Sequence, residues 1–169
     1  PTGFTGATGP QACPGTGEKV VNGGMEVFSA NVPTGWNSTT PAEISQETAQ
    51  GRVHSGSSAV NIGGDGILTQ DIPLISPGCY YEFSFFARGQ GAQVGLTAAV
   101  TFLTPGGTVP GASIVVRMMD IPTDNREFAY YRVLTDAAPV GVTLARLSFS
   151  VTTQDSQSLD LDDVSFATQ

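Results

Sequence analysis

Histidine is almost missing from this chain: His54 is the only one in 169 residues. A single imidazole rules against the multi-histidine zinc and copper centres. Basic residues are also few, seven Lys and Arg against 15 Asp and Glu, giving a net charge of −8 and a pI near 4.3. That field repels phosphate backbones and anionic lipid surfaces, which argues against nucleic-acid binding and membrane docking. No apolar run approaches the roughly 20 residues of a membrane span, and no signal-peptide pattern is present. The opening Pro-Thr-Gly reads as the start of an excised fragment, with any targeting signal upstream of it. Sustained helical periodicity is absent too, since each long apolar stretch alternates or is too short for a helix.

What the chain does have is turn chemistry. Charged residues make up only 13 %, beside 21 Gly and 11 Pro, the composition of many short strands joined by tight turns. The expected strands are Lys19–Val21, Met25–Phe28, Glu43–Thr48, Ser57–Ile62, Ile67–Leu74, Cys79–Arg88, Gln93–Leu103, Ser113–Ile121, Phe128–Thr135 and Leu144–Thr152. Tyr81, Phe83, Phe85 and Ala87 share one face of the Cys79–Arg88 strand. Pro73 and Pro77 limit pairing, so the Ile67–Leu74 strand either lies at a sheet edge or ends early. Pro105-Gly106-Gly107 reads as a break. About ten strands at regular spacing make an all-β antiparallel two-sheet sandwich, or jelly roll, in one domain spanning 18–169.

Ser158 to Phe166 closes that sandwich. Leu159 and Leu161 alternate with polar residues, and then the apolar set slips by one residue to Val164 and Phe166. A slip of one turns every later side chain to the other face unless a β-bulge absorbs it. A bulge at Asp162–Asp163 would leave two carboxylates side by side, whose repulsion a hard cation would relieve.

Residues 1–9 read Pro-Thr-Gly-Phe-Thr-Gly-Ala-Thr-Gly, with glycine at every third place; the phase is lost at Ala12 and resumes at Gly15. Only a residue without Cβ fits the axis of a collagen triple helix, so residues 1–17 resemble the Thr-rich end of a bacterial collagen-like stalk, which would make the native molecule a homotrimer. A flexible Gly/Thr linker is the competing reading. Cys13 and Cys79 could form one bridge in an oxidising compartment, stay as thiols or pair between chains.

A wider resemblance covers about Val20 to Phe166. Its ordered pieces are Val21-Asn-Gly-Gly-Met-Glu26, Pro33-Thr-Gly-Trp36, His54-Ser-Gly56, Ser76-Pro-Gly-Cys-Tyr80 opening Tyr81 to Arg88, and Leu161-Asp-Asp-Val164. Together they resemble the jelly-roll carbohydrate-binding modules attached to bacterial glycoside hydrolases, and their relatives on collagen-like surface proteins of spore-forming bacteria. The resemblance implies a structural calcium held by the Glu26 side chain, backbone oxygens near Asn22, Gly24 and Ser55, and a carboxylate of Asp162 or Asp163. It also implies sugar stacking on aromatic rings, for which Trp36, Tyr80, Tyr81, Tyr130 and Tyr131 are the candidates, although Trp36 after a glycine turn reads rather as a lid packed on the core. In each adjacent tyrosine pair one ring falls on each face of its strand, so one of the two should be available. Localisation at a bacterial cell or spore surface follows from the same likeness.

Catalytic readings fare worse. Ser55, Ser57 and Ser58 near His54 do not form a Gly-x-Ser-x-Gly elbow, and no Gly-rich turn leads into a helix that could cradle phosphate. Asp120 with Asp124, or Asp155 with Asp160, could imitate a glycosidase couple, but nothing in the spacing fixes their separation. The sequence therefore points to a non-enzymatic, calcium-stabilised binding head for a glycan or surface ligand. Its rival is a purely structural head that trimerises and caps a collagen-like filament.

Overall fold

A computed structural model describes residues 13–169 of the chain; the Gly-x-y triplets lie outside the described residues. Among those residues are eleven strands and one 3₁₀ turn, Pro41–Glu43. In chain order the strands are β1 (Phe28–Ser29), β2 (Val32–Pro33), β3 (Ile44–Glu47), β4 (Ala59–Gly63), β5 (Ile67–Pro73), β6 (Tyr81–Gln90), β7 (Val94–Thr104), β8 (Gly107–Val116), β9 (Ala129–Leu134), β10 (Leu144–Thr153) and β11 (Ser158–Thr168). Two antiparallel sheets carry the fold, one ordered β5-β10-β7-β8 and the other β3-β4-β11-β6-β9, with β1 and β2 forming a separate ribbon.

The core lies between the sheets, where the period-2 patterns deliver it. Tyr81, Phe83 and Phe85 from β6 and Phe166 from β11 meet Phe102 of β7 and Phe149 of β10, all without exposure. Tyr81 stacks on Phe166 with centroids 5.0 Å apart, and Phe149 meets Phe85 edge-on at 5.1 Å. Each such ring contributes roughly 1.5–3 kcal/mol by leaving water. β5 is an edge strand, where Pro73 and the missing N–H are tolerated. The bulge is present: the β11–β6 register shifts between Asp162 and Ser165, and Asp163 takes a φ of 47°.

Three expected strands differ. Lys19–Val21 forms no strand; the neighbouring Glu18 makes an isolated bridge to Ala167 and Lys19 N–H one bond to Phe166. Met25–Phe28 is mostly loop: the Asn22 side chain accepts the Glu26 and Val27 N–H groups, Asn22 and Met25 adopt positive φ, and Met25 plugs the core. Local side-chain hydrogen bonding here outcompetes a ladder. Ser113–Ile121 begins too late, because Thr104 pairs with Gly107 in a tight hairpin and Pro105-Gly106 is its turn. Pro110 sits within edge strand β8, at a register shift between Val100 and Thr101.

Cys13 and Cys79 form a disulfide with Cα atoms 5.7 Å apart. The bond clamps the incoming chain to the start of β6. From there Glu18 accepts the Phe166 N–H and Ser165 hydroxyl, and Lys19 N–H donates to the Phe166 carbonyl. This segment takes the place that β4 occupies beside the first half of β11.

Candidate functional site

The site forms on the outer face of the five-stranded sheet, where β11 kinks. Deleting Asp163 alone would restore unbroken alternation from Leu159 to Phe166, so the extra residue is not needed to keep the core face in phase. What it adds is a second carboxylate. Asp162 is fully buried, and its Oδ2 accepts the His54 and Ser55 N–H groups at 2.9 and 3.1 Å. Its Oδ1 accepts the Asp163 N–H at 2.8 Å. Burial pushes the Asp162 carboxyl up to about 6, with the Asp163 charge adding to the rise and the N–H groups opposing it.

Asp163 points the other way. Its Oδ2 lies 2.6 Å from His54 Nδ1, and its Oδ1 accepts the Ser55 hydroxyl at 2.8 Å. Gly24 is close enough that a Cβ there would lie 3.6 Å from Asp163 Oδ1. Glu26 accepts the Ser57 N–H and hydroxyl and the Ser58 N–H. The Ser57 donors hold its carboxyl below the usual range. Three segments thus converge: the Asn22–Glu26 loop, the His54–Ser58 loop and the bulge. Val164 N–H donating to the Gly23 carbonyl ties the first to the third.

The donor chemistry suits a hard cation, being oxygen throughout apart from His54. Among the described residues, however, no three His, Cys, Asp or Glu side chains gather as a ligand cluster. The Asn22 carbonyl is already taken by the Met25 N–H and Trp36 Nε1–H. A calcium ion would therefore rest on Asp163 and on backbone oxygens such as those of Gly24 and Ser55, and Glu26 would have to release Ser57.

Beyond the bulge the same face is aromatic. His54 stacks on Phe86 at 3.7 Å, with Phe128 edge-on to the imidazole. On the far side Tyr130, paired with Phe86 across β6 and β9, lies 4.9 Å from it and keeps 52 % of its surface exposed. Arg132, two residues along the same face, pairs with Glu82 at 2.6 Å. The tyrosine pairs split as their strands require. Tyr80 is 49 % exposed, whereas Tyr81 is fully buried; Tyr131 packs inward on Phe85 at 5.2 Å. Trp36 is also buried, donating Nε1–H to Asn22 and packing 5.9 Å from Phe149. Trp36 and Tyr81 are thus core residues and present no ring to a ligand, whereas Tyr131 is partly buried against the core.

Sequence reasoning missed His54 as a contact of Asp163, and a buried polar network above β4, β11 and β6. There Arg88 pairs with Asp160 at 2.8 Å and donates to the carbonyls of Thr123 and Asp124, while Asn61 and Gln90 also bond Asp160. Burial pushes the Asp160 carboxyl up. The signal was Arg88 and Phe86 on the polar face of β6, readable only once the register with β11 is known. The network removes Asp160 from any glycosidase couple with exposed Asp155. Ser55 donates to Asp163 and makes no hydrogen bond to His54, so the trio is not a nucleophile–base relay.

No protein-family model matches the chain, and no curated protein matches it by sequence. Solved structures do match in shape. TmCBM61, in complex with β-1,4-galactotriose, superposes with a TM-score of 0.70 at 18 % identity, covering 91 % of this chain and 100 % of that one. A family 16 carbohydrate-binding module gives 0.65 at 15 % identity over 88 % and 99 %. The CBM22-1 xylan-binding domain of Paenibacillus barcinonensis Xyn10C gives 0.60 at 10 % identity over 93 % and 97 %. At these identities the likeness establishes the fold, a carbohydrate-binding-module-type jelly roll.

Proposed function

We propose that this domain is a non-catalytic glycan-binding module on a bacterial cell or spore surface, with Tyr130 as its stacking platform. The observation that carries the reading is a half-exposed tyrosine seated on Phe86, beside the Arg132–Glu82 pair, on a rigid sheet face. A sugar's apolar face stacks on such a ring while its hydroxyls bond to the flanking charged groups. The proteins of like fold named above are a β-1,4-galactotriose complex and a xylan-binding domain, which makes neutral polysaccharides the first probes. A net charge of −8 disfavours acidic glycans. The Cys13–Cys79 bond suits an oxidising, extracellular setting.

Calcium is the proposed structural ion, held at Asp163 with Gly24 and Ser55, with Glu26, Asn22 and Asp162 around it. What supports it is a fully buried Asp162 carboxyl next to a second carboxylate, with no Lys or Arg side chain bonded to either among the described residues. Titrating the protein calorimetrically with β-1,4-galactotriose and xylohexaose, and screening a neutral glycan array, tests the binding reading. Binding that Tyr130→Ala abolishes supports it; an array with no positive spot contradicts it. The reading as a trimeric, collagen-capping head without a ligand is favoured by one other feature, the apolar pole described next.

A further inference from the structure

We infer that one pole of the sandwich is the surface on which three copies of this chain pack together. That pole is where β5, β7 and β9 end and β6, β8 and β10 begin. Its segments are tied by the pairing of Pro73 with Leu144, of Leu144 with Leu103, and of Thr104 with Gly107. Gly78 N–H also donates to the Ala138 carbonyl, and Gln169 N–H to that of Tyr80. Residues 73–81, 103–111, 134–144 and 167–169 build it together with the entering segment 13–19, and its charged residues are Asp136, Glu18 and Lys19, in a chain with 15 acidic and seven basic residues. Val140 is 92 % exposed, Leu74 86 %, Leu134 54 % and Tyr80 49 %. Few charges with large apolar side chains in the open are the composition of an interface centre. The opposite pole, with Asp65, Asp120, Asp124 and Asp155, would repel a like copy.

The occupant follows from where the chain enters. Cys13, bonded to Cys79 beside Tyr80, fixes residue 13 at this pole. Residues 1–9, immediately before, carry glycine at every third position. That period fits three chains about one axis and no other number, so the partners are two further copies of this chain. The step rests on the collagen-like reading of residues 1–9 and is independent of the sugar platform. Leu74 adds a local sign. It holds a φ of 60°, a region that costs a leucine energy, yet its side chain is left in water.

Sedimentation equilibrium of the 169-residue chain tests the assignment, and a trimer is expected. The double variant Leu74→Asp, Val140→Asp should raise the dissociation constant by roughly tenfold or more, as loss of a central apolar contact does, with its melting temperature as a monomer retained. Leu74→Gly provides a second route, because glycine accepts the positive φ without steric strain; it too should shift mass towards monomer. A monomeric or dimeric wild type overturns the inference, as does a trimer unmoved by both variants. Replacing Gly3, Gly6 and Gly9 by alanine separates the sources. A trimer that survives is held by the pole; one that is lost, while the pole variants stay trimeric, overturns the assignment. Sugar binding measured on the monomeric variants reports on Tyr130 alone.

Discussion

At the scale of single residues, Asp162 and Asp163 are neighbours with opposite roles. Asp162 is a buried anchor that arrests the His54–Ser55 backbone; Asp163 faces the Gly24 loop, with its oxygens bonded to the His54 ring and the Ser55 hydroxyl. Asp163→Ala should cost about 1–2 kcal/mol from its lost hydrogen bonds alone, or a few degrees in melting temperature for a domain of this size. If calcium is bound, a chelator should lower the wild-type melt and leave the variant's unchanged. Equal chelator sensitivity in both would remove Asp163 as a ligand. The acidic slip at this point was legible in the sequence because Leu159, Leu161, Val164 and Phe166 cannot share one face without a bulge. The fate of the aromatic rings was legible only in part. Alternation sets Tyr81 with Phe83 and Phe85, and a glycine turn favours Trp36 as a lid on the core, but which of Tyr130 and Tyr131 faces outward depends on the register with β6.

The acid response also divides by residue. The Arg146 guanidinium holds Asp71 below the usual carboxylate range. Its contribution is therefore present above the unfolded value of 3.8 and is lost as pH falls through the lower folded value. The pair is exposed, so the loss is under about 1 kcal/mol, and Asp71→Asn should flatten that part of the acid limb in denaturant melts. Asp162 has the other sign. With its folded value at about 6 and its unfolded one at 3.8, protonation between those values favours the folded form, so chelated protein should gain stability on acidification through that window. A monotonic loss of stability from pH 7 to 4, unchanged in Asp162→Ala, would contradict this assignment.

At the scale of elements, the long strands were readable and the short ones were not. β6, β7, β10 and β11 each bury an alternating set long enough to state its own period. The stretch from Lys19 to Phe28 is ruled instead by the Asn22 side chain and by Gly23, whose position leaves no room for a Cβ against the Val164 carbonyl oxygen. Gly23→Ala should therefore displace the loop from the bulge and destabilise by about 2 kcal/mol or more, through a clash with backbone that cannot swing away. Urea unfolding measures it, and a change within ±0.5 kcal/mol would mean that the Asn22–Glu26 loop is not pinned to β11. β8 was misread for a different reason: Pro105-Gly106 serves equally as a chain break or a hairpin turn, and Phe102, Thr104 and Gly107 decide it only through pairing.

For the whole molecule, the chain is polarised. A pole with few charges holds Cys13 through its bond to Cys79, and the opposite pole is acidic. Between them lies the sheet face with Tyr130. Three such faces on one stem would let sugar sites of millimolar strength adhere through effective concentration, provided that the ligands can span them. The two-layer architecture was legible from strand count and alternation. The face that carries the candidate site was not, because it depends on β11 lying between β4 and β6, a long-range order that no segment shows by itself.

The most direct test is a glycan array read in parallel for the wild-type domain, Tyr130→Ala and Trp36→Phe. The account predicts spots for neutral glycans with the wild type, their loss with Tyr130→Ala, and their retention with Trp36→Phe because Trp36 is core. Binding that survives Tyr130→Ala, or no binding by any of the three, would contradict it.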